Sequence, residues 1–76
     1  MKNIIISFIG PDRAGLVENL SQIVNQHHGN WQVSSMHHLS GFFAGVVEIA
    51  VEEKNCQALT QAINTISGLK CQIETA

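Results

Sequence analysis

The chain has 76 residues, of which 45% are hydrophobic and only 13% charged, with a net charge of −2. One domain, residues 1–76, is expected, and a domain this small buries only about 60–65% of its unfolded surface, so stability is expected to be thin and helped by oligomerisation. The four cations, Lys2, Arg13, Lys54 and Lys70, are scattered, which excludes the clustered charge that a nucleic-acid backbone requires. No apolar run approaches the ~18 residues of a membrane span, and no basic-then-apolar leader opens the chain. Cys56 and Cys71 do not make a disulfide framework. A reduced, cytoplasmic protein with no membrane contact is expected.

In chain order, Asn3 to Ile9 read as a strand. Ile4, Ile6 and Phe8 share one face and Ile5, Ser7 and Ile9 the other. A strand apolar on both faces belongs at the centre of its sheet. Gly10-Pro11-Asp12-Arg13-Ala14-Gly15-Leu16-Val17 follows as a strand-to-helix turn bracketed by two glycines. Glycine permits positive φ or close approach, and a helix start offers free N–H groups and partial positive charge. Together these suit a carboxylate or phosphate. Asp12 is placed to cap a helix running from about Arg13 to His28. Leu16, Val17, Leu20, Ile23, Val24 and His27 make its buried stripe, and Gly29 is its expected C-cap.

Asn30 to Leu39 form the second strand, in which Trp31, Val33, Ser35, His37 and Leu39 alternate with Gln32, Ser34, Met36 and His38. Ser40-Gly41 predicts a tight hairpin turn. Phe42 to Glu52 return as the third strand, with Phe43, Gly45, Val47, Ile49 and Val51 toward the core. Gly45 marks a bulge or a close approach. Asn55 reads as the N-cap of a second helix whose stripe is Cys56, Leu59, Ile63 and Ile66, ending at Ser67-Gly68. Lys70 to Thr75 close the chain as a strand. The order β-α-β-β-α-β, with right-handed crossovers, predicts an α+β, ferredoxin-like fold: a four-stranded antiparallel sheet with two helices on one face. The first and third strands are central.

The residues at hand argue against several chemistries. Gly10 and Gly15 have the P-loop spacing, but Leu16 and Val17 stand where a cation and a hydroxyl are needed. Metal chaperones of this fold carry a CxxC pair in the first loop, and this loop has no cysteine. Acylphosphatases carry a phosphate-cradling arginine there; Arg13 lies in the right region without the rest of that pattern. No nucleophile–base pair assembles, so no enzyme is expected. His37 and His38 alternate across a strand, His27 and His28 suit a helix end, and neither metal nor cofactor is expected.

The loop, the turn Gly29-Asn30-Trp31 and the element order together resemble the ACT domain family over nearly the whole chain. Within that family the GxDRxGhV-type loop is similar to that of the glycine cleavage system repressor sub-group. The resemblance implies a regulatory, non-catalytic domain binding a small molecule, most often an amino acid, at a domain–domain interface. It implies contacts from Gly10, Pro11, Asp12, Arg13, Ala14, Gly15 and Leu16, with Asn30 and Trp31 from the neighbouring copy. Asp12 falls where a side chain meets the ligand's amino group, and Asn30 where an amide meets the ligand. Gly15 falls where the helix start approaches ligand or partner. Ala14 replaces the proline of many relatives, and Trp31 a small aliphatic residue. The domain is expected to stand alone, without the tandem or catalytic domain of many relatives, so a homodimer or a regulatory protein partner is expected to carry the output. The competing expectation is a dimerisation module with an empty loop, and last a small phosphate-processing enzyme of acylphosphatase type.

Overall fold

The computed structural model describes residues 1–12 and 14–76. Six elements follow one another: β1 (Lys2–Pro11), α1 (Leu16–Gln26), β2 (Asn30–Leu39), β3 (Phe42–Val51), α2 (Glu53–Asn64) and β4 (Lys70–Thr75). The four strands make one antiparallel sheet in the order β2-β3-β1-β4. This is the expected α+β, ferredoxin-like arrangement, with the first and third strands at the centre.

The core lies between the sheet and the helix layer. Ile4, Ile6 and Phe8 of β1 meet Phe43, Val47, Ile49 and Val51 of β3, and Leu16, Leu20, Val24, Leu59, Ile63 and Ile66 close over them. Phe8 and Phe43 pack edge to face with centroids 5.5 Å apart. The period-2 pattern of β1 and β3 thus places its residues as the alternation predicts. Gly45 sits opposite both Phe8 and Met36. A Cβ there would lie 2.6 Å from the Ser35 carbonyl oxygen and 2.9 Å from Met36 Cγ. The glycine serves a close approach.

The bulge lies elsewhere, between Trp31 and Val33 of β2. It changes the face of everything after it. Trp31 opposes Ile49 on the core side, yet Val33 opposes Glu48 and Leu39 opposes Phe42 on the outer side. The simple alternation of Trp31 with Val33, Ser35, His37 and Leu39 is therefore broken. Ser34, Met36 and His38 share the Trp31 face instead.

Both helix starts differ from expectation. Gly15, not Asp12, is the N-cap of α1, with φ +86° and no side-chain cap bond. The helix begins at Leu16 rather than near residue 13. For α2 the N-cap is Glu52, not Asn55; the Asn55 N–H donates to the Glu52 carbonyl at 2.9 Å as part of the first turn. At the end of α1 the positive φ falls on His28 (58°), not on Gly29. Gly29 is needed for space: a Cβ there would come within 2.9 Å of Val24 Cγ1 and 3.1 Å of Ile49 Cγ2. Ser40 and Gly41 both have positive φ, at 51° and 82°, as a primed two-residue hairpin turn requires.

Candidate functional site

The β1–α1 loop is held by three separate packings. Gly10 is buried at the end of β1, and a Cβ on it would crowd Leu69 Cδ1 at 3.0 Å, Leu16 Cδ2 at 3.2 Å and the Gly68 carbonyl at 3.3 Å. Its bareness lets the α2–β4 turn and the start of α1 close on the strand. Pro11 pairs with Phe42. Asp12 is then tied to the β2–β3 hairpin. Its N–H donates to the Gly41 carbonyl at 2.9 Å, and its carboxylate accepts a bond from His38 Nδ1 at 3.1 Å. Both side chains of that pair are solvent-exposed, so it contributes about 0–1 kcal/mol. Arg13 lies outside the described residues. Ala14 and Gly15 are exposed, and Leu16 is buried as the first residue of α1.

Among the described residues no side chain caps α1, and its first turn opens onto a shallow depression lined by Ala14, Gly15, Leu16, Glu18, Asn19 and Gln22. The leading N–H groups of a helix have no partner within it and carry partial positive charge. A carboxylate on Asp12 and a positive helix start therefore stand a few residues apart. A second depression, beside Gly10 and Pro11, includes Phe42, Gly68 and Lys70.

Asn30 and Trp31 are not near this loop. Asn30 opens β2 opposite Ala50, which in turn opposes Asn3. Asp12 lies nine residues further along from Asn3, which at ~3.3 Å per residue is about 30 Å. Asn30 is exposed; Trp31 is half-buried and packs against the core. The structure thus assembles Gly10, Pro11, Asp12, Ala14, Gly15 and Leu16 at one end of the sheet and leaves Asn30 and Trp31 at the other. Sequence reading missed His38 and Lys70 as neighbours of the loop. Only the strand register, which sets Leu39 and Phe42 beside Pro11, points to them.

The remaining titratable groups are dispersed. His27 Nδ1–H donates to the Ile23 carbonyl at 2.8 Å, and His37 Nε2 shares a hydrogen bond with Ser35 Oγ at 3.3 Å. Among the described residues no three His, Cys, Asp or Glu side chains converge as a metal site would need. Both cysteines are free thiols. Burial pushes the Cys71 thiol above its usual range. The neutral form is the one the fold favours, so this contribution to stability is present below pH ~8.5 and is lost as pH rises through the raised value. Alkylation of Cys71 at pH 8 should accordingly run several-fold slower in the native protein than in urea, measured by mass spectrometry of quenched time points. Equal rates would show that the thiol is not shielded.

A split β-α-β fold with a glycine-bracketed loop at the first strand–helix junction defines a small ferredoxin-like module. The sequence model of the ACT domain matches residues 2–74, and the chain belongs to the ACT domain family. ACT domains are typically regulatory, and they commonly bind small-molecule ligands and dimerise. No curated protein matches the chain. Among solved structures it is similar to an unknown protein from Galdieria sulphuraria, with a TM-score of 0.89 and 25% identity over 99% of this chain and 45% of that one. It is similar in fold to a protein assigned as a glycine cleavage system transcriptional repressor, with a TM-score of 0.90 and 16% identity over 99% of this chain and 46% of that one. An ACT domain protein from Streptococcus pneumoniae aligns with a TM-score of 0.77 and 20% identity over 99% of this chain and 90% of that one. The chain thus spans under half the length of the first two. Among the described residues no helix is long and apolar enough to cross a membrane.

Proposed function

We propose that the chain is a cytoplasmic amino-acid sensor that holds its ligand between two copies and acts through the assembly the ligand favours. The observation that carries this reading is an α1 start with no side-chain cap, in a loop that also carries the exposed Asp12 carboxylate. An α-amino acid presents a carboxylate and an ammonium a few ångströms apart. The helix N–H groups suit the first, and Asp12 suits the second through a charge-assisted bond. Asn30 of the other copy supplies an amide. Its distance from Asp12 within one copy supports a site built by two. A ligand bound only in the assembled state stabilises that assembly by mass action. Output then passes to a regulatory protein partner in metabolic or transcriptional control.

The second reading is a dimerisation module without ligand, favoured by the Asp12–His38 pair, which already engages the carboxylate. Asp12→Asn separates the two. Asp12 does not cap α1, so the substitution should leave thermal unfolding almost unchanged. Under the sensor reading it removes a contact worth about 1.5–3 kcal/mol. Affinity for an amino acid identified by a thermal-shift screen should then fall by roughly tenfold or more. Asn30→Ala should also weaken binding. His38→Gln, which removes the imidazole while leaving the carboxylate, should not. Isothermal titration checks all three. A confirmed amino acid that binds the Asp12→Asn, Asn30→Ala double variant as tightly as the parent would refute the proposed site.

A further inference from the structure

His38 and Asp12 stand 26 residues apart in the chain, yet His38 Nδ1 lies 3.1 Å from Asp12 Oδ2. The bulge in β2 makes this meeting possible. Had β2 alternated without a break, His37 would share the Trp31 face and His38 would point the other way. The shift between Trp31 and Val33 instead sets His38 opposite Phe43, which in turn opposes Gly10. The hairpin holds the geometry, since the Asp12 N–H donates to the Gly41 carbonyl at 2.9 Å. We propose that a proton on His38 competes with a ligand's ammonium for Asp12, so that binding at the β1–α1 loop weakens as pH falls from about 7 to 5. This competition rests on the amino-acid reading given above.

A carboxylate has no proton to give, so the bond requires the hydrogen on Nδ1 and leaves Nε2 to take up another. The His38 side chain is 74% exposed, so water reaches that nitrogen. Protonation turns the contact into a charge-assisted bond, about twice as strong as the neutral one. It also places a cation against the carboxylate that the ammonium of an amino acid would use. The ligand then displaces a cation rather than a neutral ring. Ammonium and carboxylate groups ordinarily keep their charges between about pH 5 and 7, whereas histidine takes up its proton there.

The charged groups around the pair are few. On β3 the residue facing His38 is the buried Phe43, and on β2 the same face carries Ser34 and Met36. His37 points to the opposite face of the sheet, in one row with Ala44, Ile9 and Lys70, and shares its hydrogen bond with Ser35. Glu18 is the acidic residue in the first turn of α1. Arg13 lies outside the described residues, and a guanidinium keeps its charge throughout. Among the described residues His38 is the one titratable side chain bonded to Asp12.

Both partners are exposed, so the competition is screened, and its expected effect is about three- to fivefold in affinity. By linkage, binding then expels a proton. Two measurements test this. The first needs no ligand. In an NMR pH titration, the Asp12 and Gly41 amide signals should move together with the His38 ring in the parent and hold still between pH 7 and 5 in His38→Gln. The second is a thermal-shift panel of the standard amino acids at pH 7 and pH 5, followed by isothermal titration of each one that raises the melting temperature. Parental affinity should fall by the stated factor at the lower pH, with proton release seen as a buffer-dependent heat. His38→Gln should bind alike at both. Loop amides that ignore His38, an amino acid that the parent binds equally at both pH values, or the same loss in His38→Gln would overturn the competition and leave the amino-acid reading intact. A panel without a single binder at either pH would instead sink the amino-acid reading, and the competition with it.

Discussion

Gly45→Ala should destabilise the fold by about 1–3 kcal/mol, the usual range for overpacking a well-filled site. The new methyl group would lie 2.6 Å from a backbone oxygen of β2 and 3.1 Å from Phe8 Cζ. Met36 can turn aside, but the Ser35 carbonyl belongs to the β2–β3 ladder and moves only with its strand. The loss should therefore be seen first in β2: amides of residues 33–38 should exchange faster while those of β1 keep their protection. The opposite result, an unaltered melting temperature, would mean that β2 shifts freely on the sheet. Gly15→Ala is a useful contrast. A Cβ at Gly15 meets nothing within 4 Å, so any cost there comes from the positive φ alone.

The largest single loss is expected from Leu59→Ala. Leu59 is fully buried at the centre of α2, packed in the cluster with Ile63 and the β1 and β3 isoleucines and valines. Truncating such a side chain removes its transfer energy and leaves a cavity, typically costing 2–5 kcal/mol, so about 3 kcal/mol is a fair expectation. At ~0.05–0.15 kcal/mol per residue, a chain of this length has about 4–11 kcal/mol in total. One leucine thus accounts for a large share of the whole. The melting temperature should fall by more than about 10 °C in a calorimetric scan. A shift of only a degree or two would show that α2 closes onto the vacated space, or that a partner supplies most of the stability.

Much of this architecture was legible in the residues themselves. Ile4, Ile6 and Phe8 against Ile5, Ser7 and Ile9 state the two faces of β1, because side-chain direction in a strand depends only on parity. The same parity fails in β2, where no glycine or proline announces the bulge between Trp31 and Val33. The helix starts depart from the sequence pattern for a related reason. Glu53 and Lys54 face solvent in the first turn of α2, so they add nothing to an apolar stripe, and the stripe begins late. Asp12 has the right chemistry for a cap, but its N–H and carboxylate are taken by the hairpin instead. That pairing spans 26 residues and depends on the β1–β3 register, which periodicity does not specify. The loop of the candidate site could be located from its glycines; its neighbours could not.

The separation of Asp12 from Asn30 by about the length of a strand carries a consequence for stoichiometry. An amino acid a few ångströms across cannot touch both side chains of one copy. A site that uses both is two half-sites, and occupancy then obeys a rate and an equilibrium that are second order in protein. Diluting the protein at fixed free ligand should empty such a site, whereas a pocket within one copy would stay filled. The response would then report the abundance of the chain as well as that of the metabolite.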